Sequence, residues 1–138
     1  MKFGKLNHVA VYTKSREESI KFYTEVFGGK LLYTVDNEDD GLLIAMIEMN
    51  GFSIEVLQPP TGREEIYGEA MNTKNHFAVE VEDIDKALAY FKEKGCVVEE
   101  PGIYDVPDFG KKGRNLRVAF IHGPDGERIE LFYQNEAF

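Results

Sequence analysis

What this 138-residue chain lacks already excludes several classes of protein. It has a single cysteine, Cys96, so an intramolecular disulfide framework cannot form. The sequence shows no long apolar run and no cleavable apolar segment at its N-terminus, so we expect a cytoplasmic protein that does not enter a membrane. Its formal net charge of -9 repels a phosphate backbone, which argues against nucleic acid as a partner.

What is present instead is enough apolar material for one globular domain. The chain is 43% hydrophobic and 12% aromatic, which suffices to build a core without metal or disulfide staples. One basic cluster, at positions 111–117, stands out from the acidic background, and we interpret it as a solvated loop, with a mobile clamp over an anionic substrate as the alternative.

The chain contains the same pattern twice. H-V-A-V at residues 8–11 returns as H-F-A-V at residues 76–79, and N-G-F-S-I-E at 50–55 returns as D-G-E-R-I-E at 125–130. Each copy therefore opens with a histidine and closes with a glutamate. A repeat of this length indicates two copies of one module, each too small to bury much surface alone.

The first copy has the pattern of a βαβββ module. Ser15 and Glu18 have capping-box spacing, which predicts a helix that runs to about Phe27 and stops at the following glycines. Asn50-Gly51 predicts a tight hairpin between the last two strands. The predicted strands cover residues 6–12, 30–35, 42–49 and 52–57.

The second copy repeats this order. Asp83 is the predicted helix N-cap, Ile84, Leu88 and Phe91 form the buried stripe, and Gly95 ends the helix. The predicted strands cover residues 76–81, 97–99, 116–122 and 128–133. We therefore predict an α+β fold of two tandem βαβββ modules at about 5–58 and 75–134, joined by a linker at 59–74, within one domain.

Strand alternation places four candidate ligands on the face of each predicted sheet that carries no helix. Glu55 and Glu130 each stand between aliphatic residues that point the other way, and His8 and His76 oppose the apolar residues beside them. A lone glutamate of this kind is usually ion-paired, and a lone histidine is usually a hydrogen-bonded core residue. Four coincidences in two matched copies favour a metal site made of His8, Glu55, His76 and Glu130.

These residues resemble the vicinal oxygen chelate superfamily, and the four-ligand pattern is similar to glyoxalase I. The resemblance extends from Lys5 to Gln134 and includes P-D-G-x-x-I-E at 124–130. It implies an open barrel-like cleft, a homodimer and one divalent metal ion. The metal site could be built within one chain or shared between the two chains of the dimer. Imidazole and carboxylate suit nickel and zinc, which we expect first, while cobalt, iron and manganese stay open because ligand type does not choose among them.

The implied activity is a glyoxalase-type lyase or isomerase reaction on a small alpha-oxo or hemithioacetal substrate. The proton moves between adjacent carbons through an enediolate, with Glu130 as principal base and Glu55 as its counterpart. Glyoxalase I carries an Arg and an Asn for the glutathione carboxylates, where this chain has Tyr12 and Pro59. Neither can replace those groups, which argues against glutathione unless Arg63, Arg114 or Arg117 compensates.

Two other functions stay open. Residues 54–59 also resemble methylmalonyl-CoA epimerases, and some relatives in the superfamily bind small molecules or drugs without turnover. Three further residues have weaker claims. We expect His122 to form hydrogen bonds at the surface or to residues that hold the ligands, Glu80 to line the cavity or form a salt bridge, and Cys96 to be a buried structural thiol.

Overall fold

Each half of the chain forms one β-sheet with one helix packed on it. The computed structural model describes residues 8–63, 76–108 and 112–136. The chain separates into two units, Met1–Met71 and Asn72–Phe138, and each has its own sheet. No helix among the described residues is long and apolar enough to cross a membrane.

The first unit has a four-stranded sheet in the order β1-β4-β3-β2. Strands β1 and β4 are parallel, and the other neighbours are antiparallel. The elements are β1 His8–Tyr12, α1 Arg16–Lys21, a π-helical turn Phe22–Val26, β2 Lys30–Asp36, β3 Leu43–Glu48 and β4 Ser53–Gln58. Helix α1 packs on β3 and β4, and Tyr23, Ile47 and Ile54 are fully buried between them.

The first helix begins as predicted but does not stay α-helical to Phe27. The Ser15 side chain accepts a hydrogen bond from the Glu18 amide at 3.2 Å, which is the predicted N-cap. After Lys21 the backbone widens into the π-helical turn. The rings of Phe22 and Phe27, five positions apart, pack edge to face at 5.5 Å, and the amide of Phe27 donates to the carbonyl of Phe22. The wider turn matches that five-residue spacing, which a pure α-helical pattern could not predict.

The second unit repeats this arrangement with one addition. Its elements are β5 His76–Glu80, α2 Ile84–Glu93, β6 Val97–Val98, β7 Tyr104–Val106, β8 Leu116–His122 and β9 Arg128–Gln134. The sheet order is β5-β9-β8-β6, with β7 paired to β8 beside β6. Asp83 caps α2 by accepting from the Lys86 amide at 3.0 Å, and Ile84, Leu88 and Phe91 are buried.

The α+β class and the two βαβββ modules are thus confirmed. Strand β7 was not predicted, because three residues between turns carry too little alternation to be recognised. Residues 64–75, which include most of the predicted linker, lie outside the described part of the chain. The domain boundaries therefore stay a prediction.

The fold of the first unit leaves no room for a side chain at Gly29. A Cβ there would lie 2.8 Å from the Tyr23 carbonyl oxygen, 2.8 Å from the Met49 sulfur and 2.9 Å from the Ile47 side chain. The Tyr23 carbonyl cannot move freely, because it accepts the Gly29 amide at 2.8 Å.

We expect Gly29→Ala to lower the free energy of unfolding by about 1–3 kcal/mol, the usual cost of overpacking. The measurement is urea denaturation. The control is Lys30→Ala at the exposed neighbouring position, which should change stability by less than about 0.5 kcal/mol. Equal stability of the two variants would show that the glycine is not needed.

Candidate metal centre

The first unit brings together one predicted histidine and one predicted glutamate. His8 begins β1 and Glu55 lies in the central strand β4, where it pairs in register with Ala10. Nε2 of His8 lies 3.4 Å from Oε2 of Glu55. Ile54 and Val56 on either side of Glu55 are fully buried beneath the helix, so strand alternation holds the carboxylate on the opposite face.

The second unit reproduces this pair in the same register. His76 begins β5, and Glu130 in β9 pairs with Ala78 as Glu55 does with Ala10. Nε2 of His76 lies 3.1 Å from Oε2 of Glu130. The Glu130 side chain is only 14% exposed, against 24% for Glu55, so the second pair is more shielded from water.

The geometry of each pair fits two ligands of one metal ion. Nitrogen and oxygen donors bound at about 2.1 Å, with an angle between 90° and 109° at the metal, lie about 3.0–3.4 Å apart. The two observed separations are 3.4 Å and 3.1 Å. Among the residues that the structure describes, no group of three or more His, Cys, Asp or Glu side chains has metal-binding geometry. Each unit by itself therefore supplies a pair of donors.

The second pair has neighbours that the sequence analysis missed. Phe120 in β8 pairs in register with Glu130, and its ring packs edge to face on the His76 ring at 5.4 Å. On its other side the guanidinium carbon of Arg128 lies 3.5 Å from the centre of the Phe120 ring. Arg128 stands two positions before Glu130 in β9 and so projects from the same face.

Arg128 is held by a second residue, Glu99. Its Nε and Nη2 donate to the two carboxylate oxygens of Glu99, each at 2.8 Å. These hydrogen bonds lower the pKa of Glu99, with the charge of Arg128 acting in the same direction, and they raise the pKa of Arg128. Both groups therefore stay charged at neutral pH.

His122 completes this network and does not contact the His76–Glu130 pair. Its Nε2 lies 2.9 Å from Oε1 of Glu99, and its Nδ1 lies 3.0 Å from the carbonyl oxygen of Gly126. The predicted hydrogen-bonding role of His122 is thereby confirmed. Alternation could have revealed Arg128, because it lies two residues before Glu130. Glu99 could not have been found, because it follows a two-residue strand whose pairing is set by the fold.

Arg117 was considered as a replacement for the residues that hold the glutathione carboxylates, but it lies on the face of the sheet opposite the candidate ligands. It alternates with Phe120 and projects on the side where α2 packs. There it donates to Asp85 at 2.7 Å and to Asp105 at 3.1 Å, and these hydrogen bonds raise its pKa. Arg63 and Arg114 lie outside the strands that carry candidate ligands.

Two other predicted residues have ordinary surroundings. Glu80 is exposed and accepts a hydrogen bond from the neutral side chain of Gln134 at 3.3 Å, where a salt bridge was one of the two predictions. Cys96 is half-buried where full burial was predicted, because it lies just past the end of α2. Desolvation still raises its pKa, which keeps the thiol protonated and unreactive.

Comparison with known proteins identifies the family. The model of the Glyoxalase/Bleomycin resistance protein/Dioxygenase superfamily matches residues 5–131. A Vibrio parahaemolyticus protein named "Probable lactoylglutathione lyase" is 32% identical over 99% of this chain and 96% of its own length. A mitochondrial methylmalonyl-CoA epimerase from Dictyostelium discoideum is 30% identical over 93% of this chain and 77% of its own length.

A solved structure gives the same result. The crystal structure of a glyoxalase family protein from Enterococcus faecalis matches this fold with a TM-score of 0.71 at 25% identity. The match covers 96% of this chain and 99% of that one. Sequence and fold agree along nearly the whole chain, and the protein therefore belongs to the Glyoxalase/Bleomycin resistance protein/Dioxygenase superfamily.

Proposed function

We propose that this protein is a divalent-metal-dependent lyase of the glyoxalase type, and that His8, Glu55, His76 and Glu130 are its metal ligands. The observation that carries the proposal is the pair of matched His–Glu contacts, at 3.4 Å and 3.1 Å, in the same strand register of both units. The same two residue types at the same register in both units support a common role as ligands. The name of the Vibrio relative supports the same class of activity.

In this proposal the four residues bind the metal ion, and the two glutamates also transfer the proton. A bound divalent ion would act as a Lewis acid that stabilises negative charge on vicinal substrate oxygens. Glu130 takes the proton from the substrate carbon and returns it to the adjacent one, and Glu55 serves the opposite side of the substrate. Glu130 suits this role because its side chain is only 14% exposed, which limits the access of water to its carboxylate.

The substrate of this proposal is a small alpha-oxo compound or hemithioacetal. Tyr12 ends β1 and Pro59 follows β4, where the glutathione-binding residues of glyoxalase I would stand. Pro59 is buried and has no amide hydrogen to donate. A thiol adduct smaller than the glutathione one suits these residues better, because it has no carboxylates to be held there.

An epimerase is the second candidate. The epimerase relative from Dictyostelium and the similarity of residues 54–59 favour it. Both reactions begin with removal of a proton from a carbon beside a carbonyl, so the same four residues serve either one. The two functions differ in substrate, and assays with a hemithioacetal and with methylmalonyl-CoA separate them.

Loss of one ligand should weaken metal binding, whereas loss of His122, the third histidine of the chain, should not. We expect His76→Ala to weaken nickel binding by more than about tenfold, because one donor of its pair is lost. His122→Gln is the matched control, since His122 contacts Glu99 rather than Glu130. Metal content after dialysis, measured by mass spectrometry, checks both. A His76→Ala protein that keeps its metal would rule out the assignment.

Glu130→Gln should reduce turnover by at least about 100-fold, because an amide cannot accept the proton. The measurement is deuterium uptake from solvent by the methylglyoxal–glutathione hemithioacetal, by adducts of smaller thiols and by methylmalonyl-CoA, with nickel-loaded protein. Glu80→Gln is the control, since Glu80 is an exposed carboxylate on the neighbouring strand.

Comparison of Glu130→Gln with Glu80→Gln distinguishes loss of the catalytic base from the general effect of removing one negative charge. Equal exchange by wild type and Glu130→Gln would eliminate Glu130 as the base. Absence of exchange in wild-type protein with every substrate would reject both candidate reactions.

A further inference from the structure

The two His–Glu pairs match, but their surroundings do not. The residue two positions before Glu130 is Arg128, whereas the residue two positions before Glu55 is Ser53. The residue paired in register with Glu130 is Phe120, and the one paired with Glu55 is Met46. At these matched positions of the described strands, an arginine therefore stands beside the His76–Glu130 pair and a serine beside the His8–Glu55 pair.

The guanidinium of Arg128 is held rigidly. Glu99 binds its Nε and Nη2 at 2.8 Å each, and Phe120 covers its face at 3.5 Å. Glu99 is itself fixed by His122, whose ring is anchored on the Gly126 carbonyl. Such a side chain has already lost its rotamer freedom, so a new ligand would not have to order it.

The arginine keeps hydrogen-bonding capacity. A guanidinium has five N–H donors, and the carboxylate of Glu99 uses one on Nε and one on Nη2. Among the residues that the structure describes, Nη1 forms no hydrogen bond that would occupy it. The remaining N–H groups of Nη1 and Nη2 form a second edge, whose geometry suits a carboxylate or another planar oxyanion.

Its position is beside the reacting groups. Side chains two residues apart on one face of a strand are about 6–7 Å apart, which places Arg128 next to Glu130 in β9. Phe120 links the two sides of the site, because it touches both the guanidinium and the His76 ring. The other arginine in this sheet, Arg117, lies on the opposite face, where it forms ion pairs with two aspartates.

From these contacts we propose that Arg128 binds an anionic group of the substrate, a carboxylate whose carbon lies two or three bonds from a carbon that bears one of the vicinal oxygens, and so orients an asymmetric substrate. Glu99 is a positioning residue that aims the guanidinium. This proposal rests on the proposed function, because it takes the His76–Glu130 pair as part of the reaction centre. It narrows the substrate to small organic anions.

The test compares two probes that differ only in an anionic tail. Acetohydroxamate and succinomonohydroxamate carry the same pair of vicinal oxygens, but only the second has a carboxylate. We expect nickel-loaded wild-type protein to bind succinomonohydroxamate at least about tenfold more tightly by isothermal titration calorimetry. Arg128→Gln should bring the two affinities within about twofold, and Arg128→Lys should give an intermediate ratio.

Ser53→Ala, at the matched position of the first unit, is the control and should leave the ratio unchanged. A purely structural role for Arg128 would weaken both probes equally, which would overturn the proposal. Equal affinity of wild-type protein for the two probes would overturn it as well, whether or not Arg128→Gln folds.

The failure of the proposed function has a different signature. In that case wild-type protein holds no nickel and binds neither hydroxamate, and the proposal for Arg128 falls with it. Metal-loaded protein that binds both probes without preference leaves the metal centre in place and rejects only the role of Arg128.

Discussion

The candidate site depends on two glutamates whose sequence neighbours are buried in the core while their own carboxylates lie on the opposite face of the sheet. Glu55 lies between the fully buried residues Ile54 and Val56, and Glu130 lies between Ile129 and Leu131, which are also fully buried. Because side chains alternate along a strand, burial of these aliphatic residues under the helix fixes each glutamate on the other face. The parallel neighbour, β1 or β5, then brings a histidine within 3.4 Å or 3.1 Å. The hydrophobic core thus positions the polar chemistry.

A duplicated module explains the match between the pairs, and substitution within one copy explains their difference. The common parts are those that we propose as metal ligands, since register, histidine and glutamate are the same in both units. The parts that differ, Arg128 in place of Ser53 and Phe120 in place of Met46, are those that would recognise a substrate. Two similar His–Glu pairs are enough for a metal ion, which has no direction of its own. An asymmetric organic substrate requires the residues around one pair to differ from those around the other.

Much of the fold could be predicted because its signals are local. The caps at Ser15 and Asp83, the stripe at Ile84, Leu88 and Phe91, and the alternation around Glu130 each extend over a few residues. The repeat singled out His8, Glu55, His76 and Glu130 as candidate ligands, but the His–Glu contact within each unit is a finding of the structure. What could not be predicted depends on distant partners. The Glu99–Arg128 pair joins residues 29 positions apart, and the face of Arg117 mattered only once Asp85 and Asp105 were found beside it.

The most direct test of the central claim is the number of imidazoles bound to each metal ion. Protein reconstituted with copper, purified to constant metal content and studied by pulsed electron paramagnetic resonance gives that number from the imidazole nitrogens. Our account predicts one metal ion per chain with two imidazoles, from His8 and His76. Two ions per chain with one imidazole each, or an ion with none, would contradict it, because the two His–Glu pairs would then not serve a single centre.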